Sequence, residues 1–394
     1  FQAEGHAPDV ATAHYGDGGL SAALWEELGG PPYSLTGHSL GAQKLDRLLA
    51  QPDSNLVDLD VHYRFARRIA AERVAMSRAS RIITSTRQER MEQYGHQAYR
   101  DAVDPHDDRK FAVVPPGVNL EIFGADVRGA DDDRVARYVE ARLARDIAEH
   151  RCELPTVMSS SRLDPKKNHI GLVHAFAESA ELQAAANLII VVRGATDIHS
   201  RKGLNPTESA VLDEIVSVCE GHGLWGKVCV FSLDSQSELA SSYRHLRARQ
   251  SAFALTALYE PFGLAPLEAM ASGLPAAVTR SGGPSESLYD EATGREFGIL
   301  VDAADPADIA AGLLRLVGPG NEWRAFQKAG RQRVLSCYTW EQTAAGYLGV
   351  FAGLGQKAPA QRLPVPAYYL EPSPETDLRD ELLAAVWMAA GQGR

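Results

Sequence analysis

The stretch Tyr259-Glu260-Pro261-Phe262-Gly263-Leu264-Ala265-Pro266-Leu267-Glu268-Ala269-Met270-Ala271-Ser272-Gly273 decides how the chain reads. It lies between two apolar, strand-like runs, Phe253-Ala254-Leu255-Thr256 and Pro275-Ala276-Ala277-Val278-Thr279. A strand, a loop, a helix and another strand in succession form the repeating unit of an open parallel sheet. Ligands of such sheets sit at the carboxyl ends of strands, where Glu260 falls. The spacing predicts a helix over 264–271, opened by Phe262, Gly263 and Leu264. Its unpaired first N–H groups suit a phosphate, and Gly263 lets a diphosphate approach the backbone. Carboxylates suit polyols because they only accept and their bonds are charge-assisted. Glu268 could therefore take ribose hydroxyls and Glu260 sugar hydroxyls. The alternative makes Glu268 a solvated helix residue and Glu260 a capping acid.

Outward from this stretch the same alternation repeats. Strands are predicted over 156–159, 188–192, 228–231 and 298–301, and helices over 170–179, 208–220, 237–243 and 305–316. This is the pattern of a doubly wound parallel sheet. Strand-like runs at 9–14, 34–36, 80–85 and 111–114, with helical stretches at 64–77 and 86–94, give a second βα set before it. The polar, helix-prone region from Asp131 to His150 marks the expected junction. The domains read as 1–150, 151–335 and 336–394. The last holds terminal helices crossing back to the first domain, a linker at 355–366 and a final helix over 377–390.

Three further loops add chemistry. Ser159-Ser160-Ser161-Arg162-Leu163-Asp164-Pro165-Lys166-Lys167-Asn168 puts Arg162 and Lys167 at a strand end, where cations stabilise a departing diphosphate. Its bland counterpart is a basic turn in water. Thr279-Arg280-Ser281-Gly282-Gly283-Pro284 could cradle an anion or a sugar edge, and Arg193-Gly194 could border the base or sugar.

The 394 residues suffice for two domains with separate cores, and the 45% apolar content is that of a foldable globular chain. A net charge of −11 gives no general attraction to nucleic acid or anionic membrane, so local Arg and Lys must hold any anionic substrate. Four scattered cysteines with no CxxC pair fit a reduced, cytoplasmic setting rather than a metal cluster or disulfide framework. No run of transmembrane length and no leader is evident in the sequence. Nucleic-acid and membrane partners are thus not expected, and a monomer or weak homo-oligomer is.

Taken together, these residues resemble the retaining GT-B glycosyltransferases of the sucrose-synthesising type, family 4 of the sequence classification. The Glu260–Glu268 spacing fits that family's paired-glutamate motif, and Arg162 with Lys167 its diphosphate-binding pair. His14-Tyr15-Gly16-Asp17-Gly18-Gly19, Thr36-Gly37-His38-Ser39-Leu40-Gly41-Ala42-Gln43-Lys44 and Pro115-Pro116-Gly117-Val118-Asn119 read the same way. The resemblance implies a GT-B fold of two doubly wound Rossmann-like domains. It also implies glucose transfer from UDP-glucose to fructose 6-phosphate. Glu260 would hold the transferred sugar, Glu268 the ribose, and His38 would lie against the donor sugar. No cofactor or metal is required, and no Asp-x-Asp signature occurs in a matching loop. The two glutamates are not a glycosidase acid–nucleophile pair, because their proposed partners are hydroxyl groups.

An acceptor phosphate needs cations. Lys44, Arg64 and Arg67 are the candidates, with Arg68 beside them and Tyr15 donating from its own Gly-rich loop. For the arginines the alternative is a solvated helix face balanced by Asp58 and Asp60. The family's first domain normally begins with further strands, so the expectation is a first domain incomplete at its amino terminus and a weakly active or inactive piece. Other sugar pairs (GDP-mannose as donor, unphosphorylated fructose as acceptor) and a non-catalytic nucleotide-sugar-binding protein remain the alternatives.

Overall fold

The computed structural model describes residues 5–6, 8–354 and 362–378. They form two compact units. One comprises the residues up to Pro115 together with the described residues from Ala344 onward, and the other comprises Pro116–Thr343.

The first unit is built on four parallel strands: β1 (Ala11–His14), β2 (Tyr33–Thr36), β3 (Arg81–Thr84) and β4 (Phe111–Val113), in that order across the sheet. The Gly-rich stretch after His14 is not a loop, as the sequence suggests, but the start of a helix, Tyr15–Glu27. Glycine disfavours a helix interior by about 1 kcal/mol. Packing outweighs that here: a Cβ on Gly19 would stand 2.6 Å from the Ala75 Cβ and 2.9 Å from Leu35 Cδ1. Glycine lets this helix lie directly against the helix Phe65–Arg78. Lys44 likewise belongs to a helix, Gly41–Leu49. Leu363, Val365, Tyr368, Tyr369 and Leu378 from the end of the chain pack on this unit's core. The helix expected over 377–390 lies, but for Asp377 and Leu378, outside the described residues.

The second unit holds six parallel strands: β5 (Thr156–Ser160), β6 (Asn187–Val191), β7 (Val228–Phe231), β8 (Ala252–Leu255), β9 (Ala276–Thr279) and, after a short antiparallel pair β10 (Tyr289–Asp290) and β11 (Arg295–Glu296), β12 (Ile299–Val301). Their order is β12-β9-β8-β5-β6-β7. Successive side chains serve opposite faces. Leu188, Ile190, Val228 and Val230 enter one core, while Ile189, Val191, Cys229 and Phe231 enter the other. Helices cover both faces, which is why these strands are apolar throughout instead of alternating. Each fully buried Val, Leu or Ile contributes about 2 kcal/mol.

The boundary differs from the expected one near residue 150. Val118, Phe123, Val135, Val139, Leu143 and Ile147 all pack into the second unit's core, so the unit begins at Pro116. It ends at Thr343 rather than 335, because Tyr338 is part of the same core. The Val118 N–H donates to the Tyr338 carbonyl at 2.8 Å, and Val118 pairs with Thr339, so the unit's two ends run side by side.

Candidate active site

From β5 the chain winds outward through β6 and β7, then returns to the other side of β5 for β8, β9 and β12. The reversal falls between β5 and β8, whose connections leave in opposite directions and open a crevice at the strands' carboxyl ends. The loops of both strands carry the residues singled out above. Lys167 Nζ, on the β5 loop, donates to Glu260 Oε2, on the β8 loop, at 2.6 Å, with both side chains largely buried. The loops are also joined through the backbone, Leu258 N–H donating to the Lys166 carbonyl at 3.0 Å.

Two residues that the sequence reading passed over hold the β5 loop. Asn168, in the left-handed region at φ 51°, accepts from Gly171 N–H and donates to the Ala303 carbonyl, while its own carbonyl accepts from Thr256. His169 is buried, and burial drives its pKa down to about 4, so its ring is neutral. Its Nε2 lies 3.2 Å from the Arg162 carbonyl and 2.9 Å from Ser161 Oγ. The Asn-His pair directly after Lys167 was the available signal. The Arg162 side chain itself is exposed and makes no ion pair among the described residues.

The helix after β8 is Leu264–Ala271, with the bounds read from sequence. Gly263 precedes it at φ +91° and no side chain caps it, so the amides of Leu264 and Ala265 face the rim unpaired by a cap. Phe262 packs against Tyr338, their ring centroids 6.0 Å apart. Glu268 stands in this helix half-buried, and burial raises its pKa to about 7. The double-glycine loop after β9 has a packing duty. The Gly283 N–H donates to the Glu260 carbonyl at 3.0 Å, and a Cβ on Gly282 would fall 2.0 Å from that same oxygen. Gly282 therefore lets this loop brace the Glu260 turn. Arg193 is exposed at the end of β6, and Gly194 beside it donates to Ser232 Oγ at 3.1 Å.

The other candidates lie in the first unit. His38 sits on a tight turn at φ 56°. Gly37 N–H donates to Tyr94 OH at 2.9 Å, and Arg68 donates to the Ser39 carbonyl at 2.7 Å. Arg68 is itself held by buried Glu72, which also accepts from both Gly41 N–H and Tyr99 OH. His14 Nδ1 and His38 Nε2 share a hydrogen bond of 2.8 Å, and Tyr15 packs on the His38 ring at 4.7 Å. Burial and then the neighbouring His14 lower the His38 pKa, so the pair is not doubly charged. His14 was quoted in the sequence but not singled out.

An open cleft of about 280 Å³ brings Arg64, Arg67 and Arg68 together with Tyr63 and the first turn of the helix from Tyr15. Lys44 lies over the Tyr63 ring at 4.3 Å, and Arg67 over the Tyr368 ring at 4.3 Å. Arg68 pairs with Glu72, Arg67 pairs with Asp377 at 3.7 Å, and Asp60 accepts from the Ala66 N–H at 2.8 Å.

A parallel sheet with a carboxylate, a cation and an uncapped helix start at its topological switch point has the form of a nucleotide-sugar-binding glycosyltransferase unit. The family described as "Glycosyl transferases group 1" matches residues 142–333. A probable sucrose-phosphate synthase of Thermosipho melanesiensis is 37% identical over 350 residues, covering 89% of this chain and 71% of the relative. The sucrose-phosphate synthase of Zea mays is 32% identical over 389 residues, covering 91% of this chain but 36% of the relative, so this chain spans about a third of the plant protein. In three dimensions it matches a sucrose-phosphate synthase from Thermosynechococcus elongatus with a TM-score of 0.61 at 23% identity, over 87% of this chain and 73% of the other. It also matches the Anabaena protein HepE in complex with UDP, with a TM-score of 0.62 at 15% identity, over 88% and 79% of the two chains. The fold is GT-B, and the chain belongs to the sucrose-phosphate synthase family of group 1 glycosyltransferases. Among the described residues no helix is long and apolar enough to cross a membrane.

Proposed function

We propose that the chain transfers glucose from UDP-glucose to the C2 hydroxyl of fructose 6-phosphate, giving sucrose 6-phosphate and UDP with retention at the anomeric carbon. The observation that carries this reading is the Lys167–Glu260 pair across the switch point, next to an uncapped helix start. Lys167 and Arg162 neutralise the diphosphate as the glycosidic bond breaks, with the Leu264 amide contributing at the helix start. Glu260 shares its carboxylate between Lys167 and hydroxyls of the glucose. Glu268 takes the ribose, and Phe262, Gly263, Arg193 and Gly194 line the nucleotide sugar. The acceptor hydroxyl attacks on the face the diphosphate leaves, and its proton passes to the departing diphosphate oxygen. No enzymic nucleophile, cofactor or metal takes part. Arg64, Arg67 and Lys44 hold the acceptor phosphate, and Tyr15 adds a hydroxyl. The names of the relatives support this sugar pair, and the cationic cleft of the first unit supports a phosphorylated acceptor.

The test is incubation with UDP-glucose and fructose 6-phosphate, with UDP and sugar-phosphate product followed together. Equal release of UDP and sucrose 6-phosphate is expected. Parallel incubations with GDP-mannose as donor, or with fructose as acceptor, should give less than a hundredth of that rate. A preference for either alternative overturns the assigned pair.

A further inference from the structure

The described residues 362–378 form a strap that follows the helix Phe65–Arg78 from its end back towards its start. At the helix end the Leu363 N–H donates to Ser77 Oγ at 3.1 Å, and the Leu363 carbonyl accepts from Arg78 Nε at 2.9 Å. Near the helix start the Tyr369 hydroxyl donates to the Arg67 carbonyl. Leu363, Val365, Tyr368 and Tyr369 pack on the first unit's core, and Leu378, 4% exposed, is part of that core. Asp377 is oriented by this last anchor, because its Oδ1 accepts from the Leu378 N–H at 2.8 Å.

The strap also reaches the cationic cleft, where Tyr369 shares the lining with Arg64, Arg67 and Arg68. The three arginines differ in what holds them. Arg68 is committed to buried Glu72 at 2.9 Å, and Arg64 makes no ion pair among the described residues. Arg67 is held by the strap alone: its guanidinium lies 4.3 Å from the Tyr368 ring centroid, and its Nη2 stands 3.7 Å from Asp377 Oδ1, with the two side chains 33% and 26% exposed. A separation of 3.7 Å lies outside hydrogen-bond range, so the ion pair is loose. A part-exposed pair of this kind is worth little, whereas phosphate oxygens bond a guanidinium directly and bring more charge. The Tyr368 face keeps the guanidinium in place when its counter-charge leaves.

We propose that Asp377 is a specificity-determining residue of the acceptor site, pairing with Arg67 before the acceptor arrives and yielding it to the acceptor's phosphate; this rests on the phosphorylated acceptor proposed above. The carboxylate is a competitor built into the chain. Anions too weakly charged to displace it gain nothing from Arg67, and a phosphate dianion does. The strap thereby belongs to the acceptor site: Tyr369 forms part of its wall, Tyr368 orients its cation, and Asp377 sets how strongly an anion must bind to take that cation over.

The test is a double-mutant cycle on the full chain, with UDP-glucose at saturation and KM for fructose 6-phosphate read from UDP release. Asp377→Asn removes the charge and keeps an oxygen for the Leu378 N–H. It should lower KM about threefold, with kcat changed by less than about twofold. Damage to the fold would raise KM, so a fall cannot come from it. Asp377→Glu, which keeps the charge, should leave KM within about twofold of the wild type. In an Arg67→Ala background Asp377→Asn should leave KM where Arg67→Ala alone puts it. An unchanged or raised KM in Asp377→Asn overturns the proposal. So does an equal fall in both backgrounds, which would mean general repulsion of an anionic acceptor instead of competition for Arg67. A wild type that turns over no fructose 6-phosphate is a different failure: the proposed sugar pair falls first and takes this assignment with it.

Discussion

The two units restrain their cations in different ways. In the second unit Lys167 is already neutralised by Glu260 at 2.6 Å, so an incoming nucleotide sugar meets a compensated pair and must redistribute it. In the first unit Lys44 rests on the Tyr63 face, 4.3 Å from the ring centroid, and makes no ion pair among the described residues, while Arg67 rests on the Tyr368 face and also pairs with Asp377 at 3.7 Å. An aromatic face orients a cation without cancelling its charge. The first arrangement favours a group whose charge develops during reaction, because the pair separates as the diphosphate departs. The second favours a dianion that arrives fully charged.

The sharpest attack on this contrast is Lys167→Ala. It removes the leaving-group cation and strands Glu260, so kcat for sucrose 6-phosphate formation should fall about 10³-fold. A loss below tenfold would dissolve the distinction between the units. Glu72→Ala asks whether the first unit's turn is held as described. It leaves the Gly41 amide and Tyr99 hydroxyl without their acceptor and releases Arg68, so urea denaturation should show a loss of about 3 kcal/mol. Glu268 offers a test by pH. If Glu268 takes the ribose as proposed, its pKa, raised to about 7, means that binding must expel a proton at lower pH. UDP affinity should therefore weaken about tenfold per unit below pH 7, and Glu268→Gln should abolish that slope in calorimetry. The same shift makes the folded state hold more protons than the unfolded one between about 4.5 and 7. Stability without ligand should thus decline as pH rises through that window. The smallest effect belongs to Arg67→Ala. KM for fructose 6-phosphate should rise about tenfold with kcat nearly unchanged, since an acceptor-binding cation acts alike before and during reaction.

The second unit was the more legible in sequence, for a physical reason. Strands buried on both faces are unbroken apolar runs such as Leu188–Val192, and the helix at 264–271 is set off by Gly263 and Gly273. Glu260, Glu268, Arg162 and Lys167 could be placed because strand-end loops in such a sheet all open on one rim. The first unit hid its helix Tyr15–Glu27 because Gly16, Gly18 and Gly19 have the wrong intrinsic propensity, and the partner helix, at Glu72 and Ala75, accounts for Gly16 and Gly19 but not for Gly18. The boundary at 116 was hidden too, since a polar helix with buried Val135, Val139 and Leu143 reads as a surface linker until its partner is known. His14 acts through a contact 24 residues away, which no local pattern announces.

The pairing of Val118 with Thr339 has a consequence for engineering. Residues 116–343 leave and re-enter the sequence at adjoining points, and on the other side of the cut Val114 lies against Gly346. The gene therefore carries this unit as a cassette with matched ends. The matched ends make it a candidate for circular permutation through a short added loop, or for exchange with the corresponding piece of a relative while the residues outside the cut stay as they are.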